Sequence, residues 1–390
     1  MKVLKPFYYD EFSCIGGSCP ETCCAEWKIV IDNETYGKYQ KVEGEFGRKL
    51  IDSISTNDKG EKLFILNKEG GCPFLNRDLL CDIYINIGKG MLCKTCKTYP
   101  RAIKKYGDII EQDLSLSCPE VARILVTCNK PIEFCFGEYL DDKWTEDIID
   151  DDILFNALIA ARGLSVDLMQ INEIPLWKRI YLCLTIADKM QKRIDKNEIG
   201  LIQKTLEPFY KDSYLLNYLE ALEEVPDNTK LKLIHYESLI RIMQERQFNN
   251  GIFQEYIDET IEFFCSHDTS YLIGFLKEKT EAFENYYKTK DYVYENYLVY
   301  HMFHYYMSSY KKRDVYKNIV MMTEGYSLIK LFGLIRWFHN GYRLSDEEQC
   351  EILYSYSRAI EHLEGCIDGI YDSIKELNFN TMAYLAVLIR

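Results

Sequence analysis

The sequence predicts a mainly α-helical protein, in which an irregular cysteine-rich N-terminal module precedes an all-helical region. Three observations support this fold class. Eleven of the fifteen cysteines lie before residue 136, in a stretch that glycine and proline interrupt repeatedly. After residue 150, apolar side chains recur at helical spacing, and no convincing strand pattern is evident. We therefore divide the chain into a cysteine-rich module of residues 1–135 and a helical domain of residues 136–390.

Individual elements follow from local patterns. Apolar and polar side chains alternate at Trp27–Ile31 and at Leu80–Ile87, which predicts two short strands. Apolar residues at helical spacing follow Pro175, and Ser345–Glu348 has the form of a capping box. The acidic run of residues 138–152 is expected to be a solvated linker or the first turn of the next helix. Most tyrosines and phenylalanines of the second half are expected to fill a core.

Size and charge limit the class of partner. A chain of 390 residues is long enough for two or three domains with cores of their own. Its net charge is -14, while residues 1–135 carry 19 basic and 19 acidic side chains, so the acidic excess lies downstream. Without a basic excess, nonspecific binding to nucleic acid is disfavoured. No stretch approaches the ~18 uninterrupted apolar residues that insertion into a membrane requires.

The cysteines are expected to be reduced. The N-terminus lacks an apolar core of signal-peptide length, which predicts a cytoplasmic protein. No histidine precedes His235, so a metal centre in the first part must be made of thiolates, as iron–sulfur and all-cysteine zinc sites are. The predicted metal ligands are nine cysteines. They are Cys14, Cys19, Cys23, Cys24, Cys72, Cys81, Cys93, Cys96 and Cys118.

The spacing of the cysteines limits the kinds of metal site that they can form. Cys93–Cys96 has the two-residue gap that zinc and iron–sulfur sites share, and Cys118 precedes Pro119 as at the end of bacterial ferredoxin motifs. Cys23 and Cys24 are adjacent, so they bind one metal atom poorly; either one of them packs, or the pair serves two metals. Nine thiols exceed the four that one tetrahedral zinc takes. The count favours at least one 4Fe–4S cluster, and zinc alone is the alternative.

Longer motifs resemble two families. The order of the cysteine fragments over residues 14–100 is similar to that of a broad family of zinc- or iron-chelating cysteine-rich domains. Four segments resemble the bacterial flagellin lysine-N-methylase family: CCAEWKIVID (23–32), LCKTCKTYPR (92–101), LSLSCPEVAR (114–123) and YENYLV (294–299). The resemblance therefore reaches from the cysteine-rich part into the helical half.

The second resemblance implies a function. It implies N-methylation of surface lysines on flagellin, with S-adenosylmethionine as the methyl donor and an iron–sulfur cluster taking part. The chain has neither a glycine-rich nucleotide loop, nor a SET-domain signature, nor the Cys-x3-Cys-x2-Cys radical motif. A methylase of this sequence would therefore bind its donor in another way. An iron–sulfur electron-transfer protein and a zinc-stabilised adaptor without catalytic activity are the alternative functions.

Candidate site residues are chosen from the groups beside the cysteines. Methylation requires a neutral lysine amine, hence a group that takes its proton. Tyr99 and Asp82 stand beside predicted ligands, and Glu295 belongs to the YENYLV segment of the resemblance. Arg101 and Arg123 are candidates for clamping the carboxylate of S-adenosylmethionine, because a guanidinium binds carboxylates through two hydrogen bonds.

Overall fold

The computed structural model describes residues 2–25, 27, 29–68, 70–107, 109–138, 151–246, 248, 250–361, 363 and 365–390. The strands are β1 (Lys2–Pro6), β2 (Val30–Ile31), β3 (Ile54–Thr56), β4 (Lys62–Phe64), β5 (Arg101–Tyr106), β6 (Ile109–Leu114) and β7 (Phe134–Glu138). The helices of the first part are α1 (Asn33–Tyr39), α2 (Gly44–Asp52), α3 (Asp82–Ile87), α4 (Lys94–Thr98) and α5 (Pro119–Thr127).

The helices of the second part form one long series. They are α6 (Asp152–Met169), α7 (Leu176–Asp195), α8 (Ile202–Leu206), α9 (Asp212–Ala221), α10 (Thr229–Gln244), α11 (Gly251–Cys265), α12 (Thr269–Tyr287), α13 (Tyr292–Tyr305), α14 (Ser309–Lys312), α15 (Val315–His339), α16 (Asp346–Tyr356), α17 (Cys366–Glu376) and α18 (Met382–Ile389). A π-helical segment, Ser357–Glu361, continues α16. Within the part of the chain that the structure describes, no strand follows residue 150, and the predicted mainly α fold is confirmed.

Two helix starts match the sequence prediction. Helix α7 begins directly after Pro175, whose fixed φ and missing N–H suit a helix start. At α16 the Ser345 hydroxyl accepts a hydrogen bond from the Glu348 N–H at 3.1 Å, and the Glu348 carboxylate accepts one from the Ser345 N–H at 2.9 Å. These two reciprocal bonds are the predicted capping box. The aromatic core is confirmed too, since Tyr297 and Phe332 are among the largest fully buried side chains.

Two small sheets lie in the first part. The larger has the strand order β5–β6–β1–β7, in which β1 runs parallel to β6 and antiparallel to β7. The smaller has the order β2–β4–β3 and is antiparallel. The strand predicted at Trp27–Ile31 is present only at Val30–Ile31.

The strand predicted at Leu80–Ile87 is wrong, because residues 82–87 form helix α3. Ile83, Ile85 and Ile87 alternate along the sequence, but burial separates them. Ile83 is buried and Ile87 packs against the same core, whereas Ile85 is 56% exposed. Residues four apart share one helix face, so this pattern of burial is helical. Gly88 ends the helix at φ +85°, a conformation that favours glycine.

Buried apolar side chains of the described residues form two hydrophobic clusters. We call the smaller one the thiol cluster. Its buried residues are Ile29, Ile31, Tyr39, Leu50, Phe64, Cys72, Phe74, Ile83 and Cys93, with Cys24, Cys81 and Cys96 packed against them. The larger one, the body cluster, joins the helices from α6 to α18 to Tyr8, Phe12 and residues 114–132. The larger sheet and α5 therefore pack with the helices.

The proposed division of the chain at residue 135 stays a prediction, although the two clusters separate at other positions. Most of the acidic run at its boundary, residues 139–150, lies outside the described residues. No helix in the described ranges is both long enough and apolar enough to cross a membrane.

Candidate functional site

Five of the predicted ligands meet in the thiol cluster. Cys72 and Cys93 are buried, and Cys24, Cys81 and Cys96 are partly buried against the same core. The Cys72 N–H donates to the Cys24 carbonyl oxygen at 2.7 Å, which ties together two segments almost fifty residues apart. Cys93 precedes α4 and Cys96 lies in its first turn, so the two sulfur atoms approach to 3.4 Å.

The Cys93–Cys96 pair has the spacing of two thiolates on one metal. Sulfur atoms on a tetrahedral zinc lie about 3.8 Å apart when each zinc–sulfur bond is about 2.3 Å. The contact between the two sulfurs lowers the pKa of Cys93 to about 7 and raises the pKa of Cys96, because the pair shares a proton. Among the described residues, however, no group of three or more Cys, His, Asp or Glu side chains is arranged to hold a metal ion. The donor types fit a thiolate metal, and the set of ligands stays a prediction.

The remaining ligands belong to a second place, which we call the seam. It consists of Cys14, Cys19, Cys23, Tyr99, Cys118 and Arg358, and Cys14 lies within electrostatic range of Cys19. The hydrogen bond with Cys24 and the charge of Arg358 lower the pKa of the exposed Cys23 to about 6. Cys118 lies within electrostatic range of Cys19 and Cys23, and burial raises its pKa to about 11. Cys24 packs in the thiol cluster, so its hydrogen bond with Cys23 joins that cluster to the seam.

Arg358 holds the seam together, and the sequence did not identify it. It lies in the π-helical segment, an irregularity frequent at functional sites. Its Nε donates to the Ser117 carbonyl oxygen at 2.8 Å, and its Nη1 donates to a Glu21 carboxylate oxygen at 2.8 Å. One guanidinium thus joins the segment before Cys118 to the segment between Cys19 and Cys23. Nothing local in the sequence indicates this role, because both partners are more than 200 residues away.

Tyr99 is the candidate that the structure brings to the seam. Its hydroxyl shares a hydrogen bond with the Ser117 hydroxyl at 3.0 Å, and its ring lies 5.5 Å from that of Trp27. Burial raises the pKa of Tyr99, so its hydroxyl keeps its proton at neutral pH. A protonated hydroxyl beside the thiols donates or relays a hydrogen bond and does not act as a strong base.

Asp82 and Glu295 lie elsewhere. Asp82, at the start of α3, accepts from the Asn76 amide at 3.3 Å in the thiol-rich part. Glu295, on α13, forms a buried ion pair with Arg179 at 2.5 Å inside the helical body. The charge of each carboxylate is partly satisfied by its neighbour, and neither contacts the seam residues in any recorded bond.

The two arginines proposed for the donor also have local partners. Arg101 donates to the Phe12 carbonyl oxygen at 3.5 Å, with its guanidinium 5.1 Å from the centre of the Phe12 ring. Arg123 is exposed and binds Glu120 of the same helix through two hydrogen bonds of 2.8 and 2.6 Å. The structure therefore does not bring the two guanidinium groups together, and their role with the donor stays a prediction.

Comparison with known proteins identifies the family of this chain. Residues 162–388, more than half of the chain, match the domain described as the FliB lysine N-methylase C-terminal domain. The chain belongs to the FliB lysine N-methylase family. The matched domain supplies Arg358 and begins downstream of all nine predicted cysteine ligands. The predicted family is confirmed, and the enzyme class that its name carries is protein-lysine N-methyltransferase.

Individual relatives agree. The flagellar biosynthetic protein FliU of Salmonella muenchen is 34% identical over 142 residues, which cover 35% of this chain and 82% of FliU. The lysine-N-methylases of Salmonella typhimurium strain LT2 and Salmonella choleraesuis strain SC-B67 are each 34% identical over 142 residues. That alignment spans 35% of this chain and only 35% of each methylase. No solved structure matches the chain.

Proposed function

We propose that this protein methylates lysine side chains of flagellin, with S-adenosylmethionine as donor and an iron–sulfur cluster taking part. The match of residues 162–388 to the FliB lysine N-methylase C-terminal domain carries the proposal. The names of the relatives, lysine-N-methylase and flagellar biosynthetic protein, support a flagellar substrate. The cytoplasm is the proposed location, because all fifteen cysteines are free and thiols stay reduced there.

The seam is the proposed place of the reaction. There the cysteine-rich part meets the FliB domain, and Arg358 of that domain reaches the segments that carry Cys19, Cys23 and Cys118. The donor is a zwitterion at its amino-acid end. A guanidinium suits its carboxylate, and the Glu21 carboxylate suits its ammonium group. Arg358 and Glu21 would exchange their mutual ion pair for contacts with the donor.

The thiols would hold metal in two groups. Cys14, Cys19, Cys23 and Cys118 would hold the iron–sulfur cluster at the seam, and a cluster held by four thiolates supplies an electron carrier. The five thiols of the thiol cluster would hold a second metal, zinc or iron. This division falls between the adjacent pair: Cys24 packs in the thiol cluster and Cys23 lies at the seam, with a hydrogen bond between the two thiols. It is the alternative in which the adjacent pair serves two metals.

A direct assay tests the function. The anaerobically purified protein is incubated with flagellin monomer and S-adenosylmethionine, and the flagellin lysines are examined by mass spectrometry. We expect mass increases of one or more methyl groups on lysine. Unchanged flagellin together with a reducible cluster would favour electron transfer, and unchanged flagellin with zinc alone would favour the adaptor.

A matched pair of variants tests whether the methyl donor binds at the seam. Arg358 and Arg336 are both partly buried, both bind a glutamate, and both lie over a tyrosine ring. Only Arg358 is at the seam. Arg358→Met should therefore raise the KM for S-adenosylmethionine by roughly tenfold or more, because a charge-assisted hydrogen bond contributes about 1.5–3 kcal/mol. Arg336→Met should leave that KM unchanged. An equal effect of both variants would show that the donor does not bind at the seam.

A further inference from the structure

A second set of charged side chains lies behind the seam, between the larger sheet and the helices. Its centre is Asp113 of β6, which is buried. The Asp113 carboxylate lies 2.8 Å from Nδ1 of the buried His304 on α13. It also accepts from the Tyr8 hydroxyl at 3.2 Å and from the Leu114 N–H at 2.8 Å. The sequence did not predict a carboxylate partner for His304.

Further charges surround this pair. Arg162 of α6 and Glu111 of β6 form a buried ion pair at 2.5 Å. Lys104 of β5 is partly buried and donates to the His304 carbonyl oxygen. Glu361, partly buried at the end of the π-helical segment, accepts from the Tyr305 hydroxyl at 2.9 Å and from the Ser357 hydroxyl. Asp113, Glu111, Arg162 and Glu361 all lie within electrostatic range of Lys104.

The charges of this centre do not cancel. Among the described residues it contains the carboxyl groups of Glu111, Asp113 and Glu361, against the cations of Lys104 and Arg162. With all three carboxylates ionised, one negative charge would remain in surroundings that solvate charge poorly. The centre therefore retains one proton, shared between Asp113 and Glu361. Burial raises the pKa of Asp113 and of Glu361 to about 7, in agreement with a proton exchanged near neutral pH.

The other titratable groups that face the centre hold fixed protonation states at neutral pH. They are Tyr8, Tyr300 and Tyr305, whose pKa burial raises, and His301, whose pKa burial lowers to about 3. Burial also lowers the pKa of Lys104, while its carboxylate neighbours oppose that change. The exchangeable proton thus belongs to the two carboxyl groups.

The protein contains a comparable pair without these connections. His235 and Glu324 are both buried, 2.8 Å apart in the helical body, and the His235 ring packs on Phe379 and Tyr384. The centre behind the seam differs in its position. Asp113 lies on the strand that leads into Cys118, and Glu361 shares the π-helical segment with Arg358. Both carboxyl groups are thus attached to elements that build the seam.

We propose that the centre of Lys104, Asp113, His304 and Glu361 accepts the proton that a substrate lysine loses before methyl transfer. The inference rests on the proposed function. The lysine ammonium gives one proton to the centre and becomes a neutral amine. The nitrogen lone pair then bonds to the methyl carbon, the carbon–sulfur bond of the donor breaks, and its electron pair stays on sulfur. The product is a methylammonium group, and the centre afterwards releases its proton to solvent.

The first experiment measures the single-turnover rate of flagellin methylation against pH, with saturating S-adenosylmethionine. The wild-type rate should rise with pH and level off above about pH 7, because only the deprotonated centre accepts a proton. Asp113→Asn and Glu361→Gln should each lower the plateau by about a hundredfold and flatten the rise. Glu324→Gln, which alters the comparable pair, should keep the wild-type profile. Wild-type profiles in both Asp113→Asn and Glu361→Gln would overturn the proposal.

A second experiment requires no methylation. Potentiometric titration of the resting protein from about one pH unit above 7 to one unit below counts the protons bound. The wild type should bind about one proton more than Asp113→Asn or Glu361→Gln, and as many as Glu324→Gln. Equal proton uptake by all four proteins would overturn the proposal even if methylation is observed. If proton uptake differs as expected but no methylation is observed, the centre is a proton-binding site, and both the methylase function and the acceptor role are wrong.

Discussion

The core of the thiol cluster contains nine buried side chains among the described residues, whereas the core of the helical body extends from α6 to α18. Two of those nine are cysteines, and three further thiols pack against them. A core of that size stabilises a fold weakly, and small domains of this kind commonly use a metal or disulfides as well. The helical body buries enough apolar surface to do without either.

The thiols are therefore concentrated where apolar burial is smallest. The body also contains buried cysteines, such as Cys183 and Cys350, but each of them is surrounded by helices and packs like a small apolar side chain. The comparison teaches that the same residue type lies in two surroundings in this chain: a small core rich in thiols, and a large helical core that contains few.

The largest expected effect is the removal of metal. Treating the anaerobic protein with a strong chelator should open the thiol cluster, because a structural thiolate metal contributes about 10 kcal/mol or more to such a fold. Hydrogen exchange of the amides of residues 29–96 should accelerate, while exchange in α15 stays slow. Cys350→Ser should behave as the wild type does. Equal acceleration in both regions would show that the two cores are not separate.

A smaller effect is expected from the buried ion pair of the body. Arg162→Met leaves the Glu111 carboxylate buried without its partner, which should lower the free energy of unfolding by about 3–5 kcal/mol. Replacing Glu111 by Met in the same protein should restore most of that loss. Urea denaturation followed by helix content measures both. If the double variant were no more stable than Arg162→Met, the pair would not be the cause.

The pH dependence of stability is expected to be weaker still. The folded-state pKa of Asp113 lies above the ordinary value of an aspartate, so protonation favours the folded state. Its contribution is fully present below about pH 4 and is lost as pH rises through about 7. That loss should amount to at most roughly 4 kcal/mol, because the two pKa values differ by about three units at about 1.36 kcal/mol each. Asp113→Asn should abolish this part of the pH dependence in urea titrations, and an unchanged dependence would contradict the raised pKa.

The smallest effect concerns the cap of α16. Ser345→Ala removes the hydroxyl that accepts from the Glu348 N–H, at an expected cost of about 1 kcal/mol. Ser238, inside α10, donates only to the Ile234 carbonyl oxygen one turn earlier, so Ser238→Ala should change stability by less than about half of that. Thermal unfolding of both variants makes the comparison, and similar losses would argue against the cap.

The parts of the fold that local sequence determines were predictable. The cap at Ser345 and the helix after Pro175 depend on residues within one turn, and both are present. The segment Asp82–Ile87 was not predictable by alternation, since three isoleucines two apart have the period of a strand. Burial against the thiol cluster favours the helix, and that is a tertiary effect.

The site was predictable to a smaller extent. Tyr99 was found because it stands beside a cysteine motif, and it does lie at the seam. Arg358 and the Asp113–His304 pair carry no local signal, because each depends on contacts between segments that are about 190 residues or more apart. The π-helical geometry that aims Arg358 is likewise set by the surrounding packing.

The route of the chain through the larger sheet has a consequence for synthesis. Strand β1 is made first, yet Lys2 pairs with Ile109 on one side and with Glu138 on the other. The chain leaves the region of the larger sheet after Phe12 and returns to it at Arg101, and these two residues are in contact. The thiol cluster draws its buried residues from positions 29–93 alone. It can therefore assemble during translation, while the first strand waits for its partners and the sheet closes last around a part that is already built.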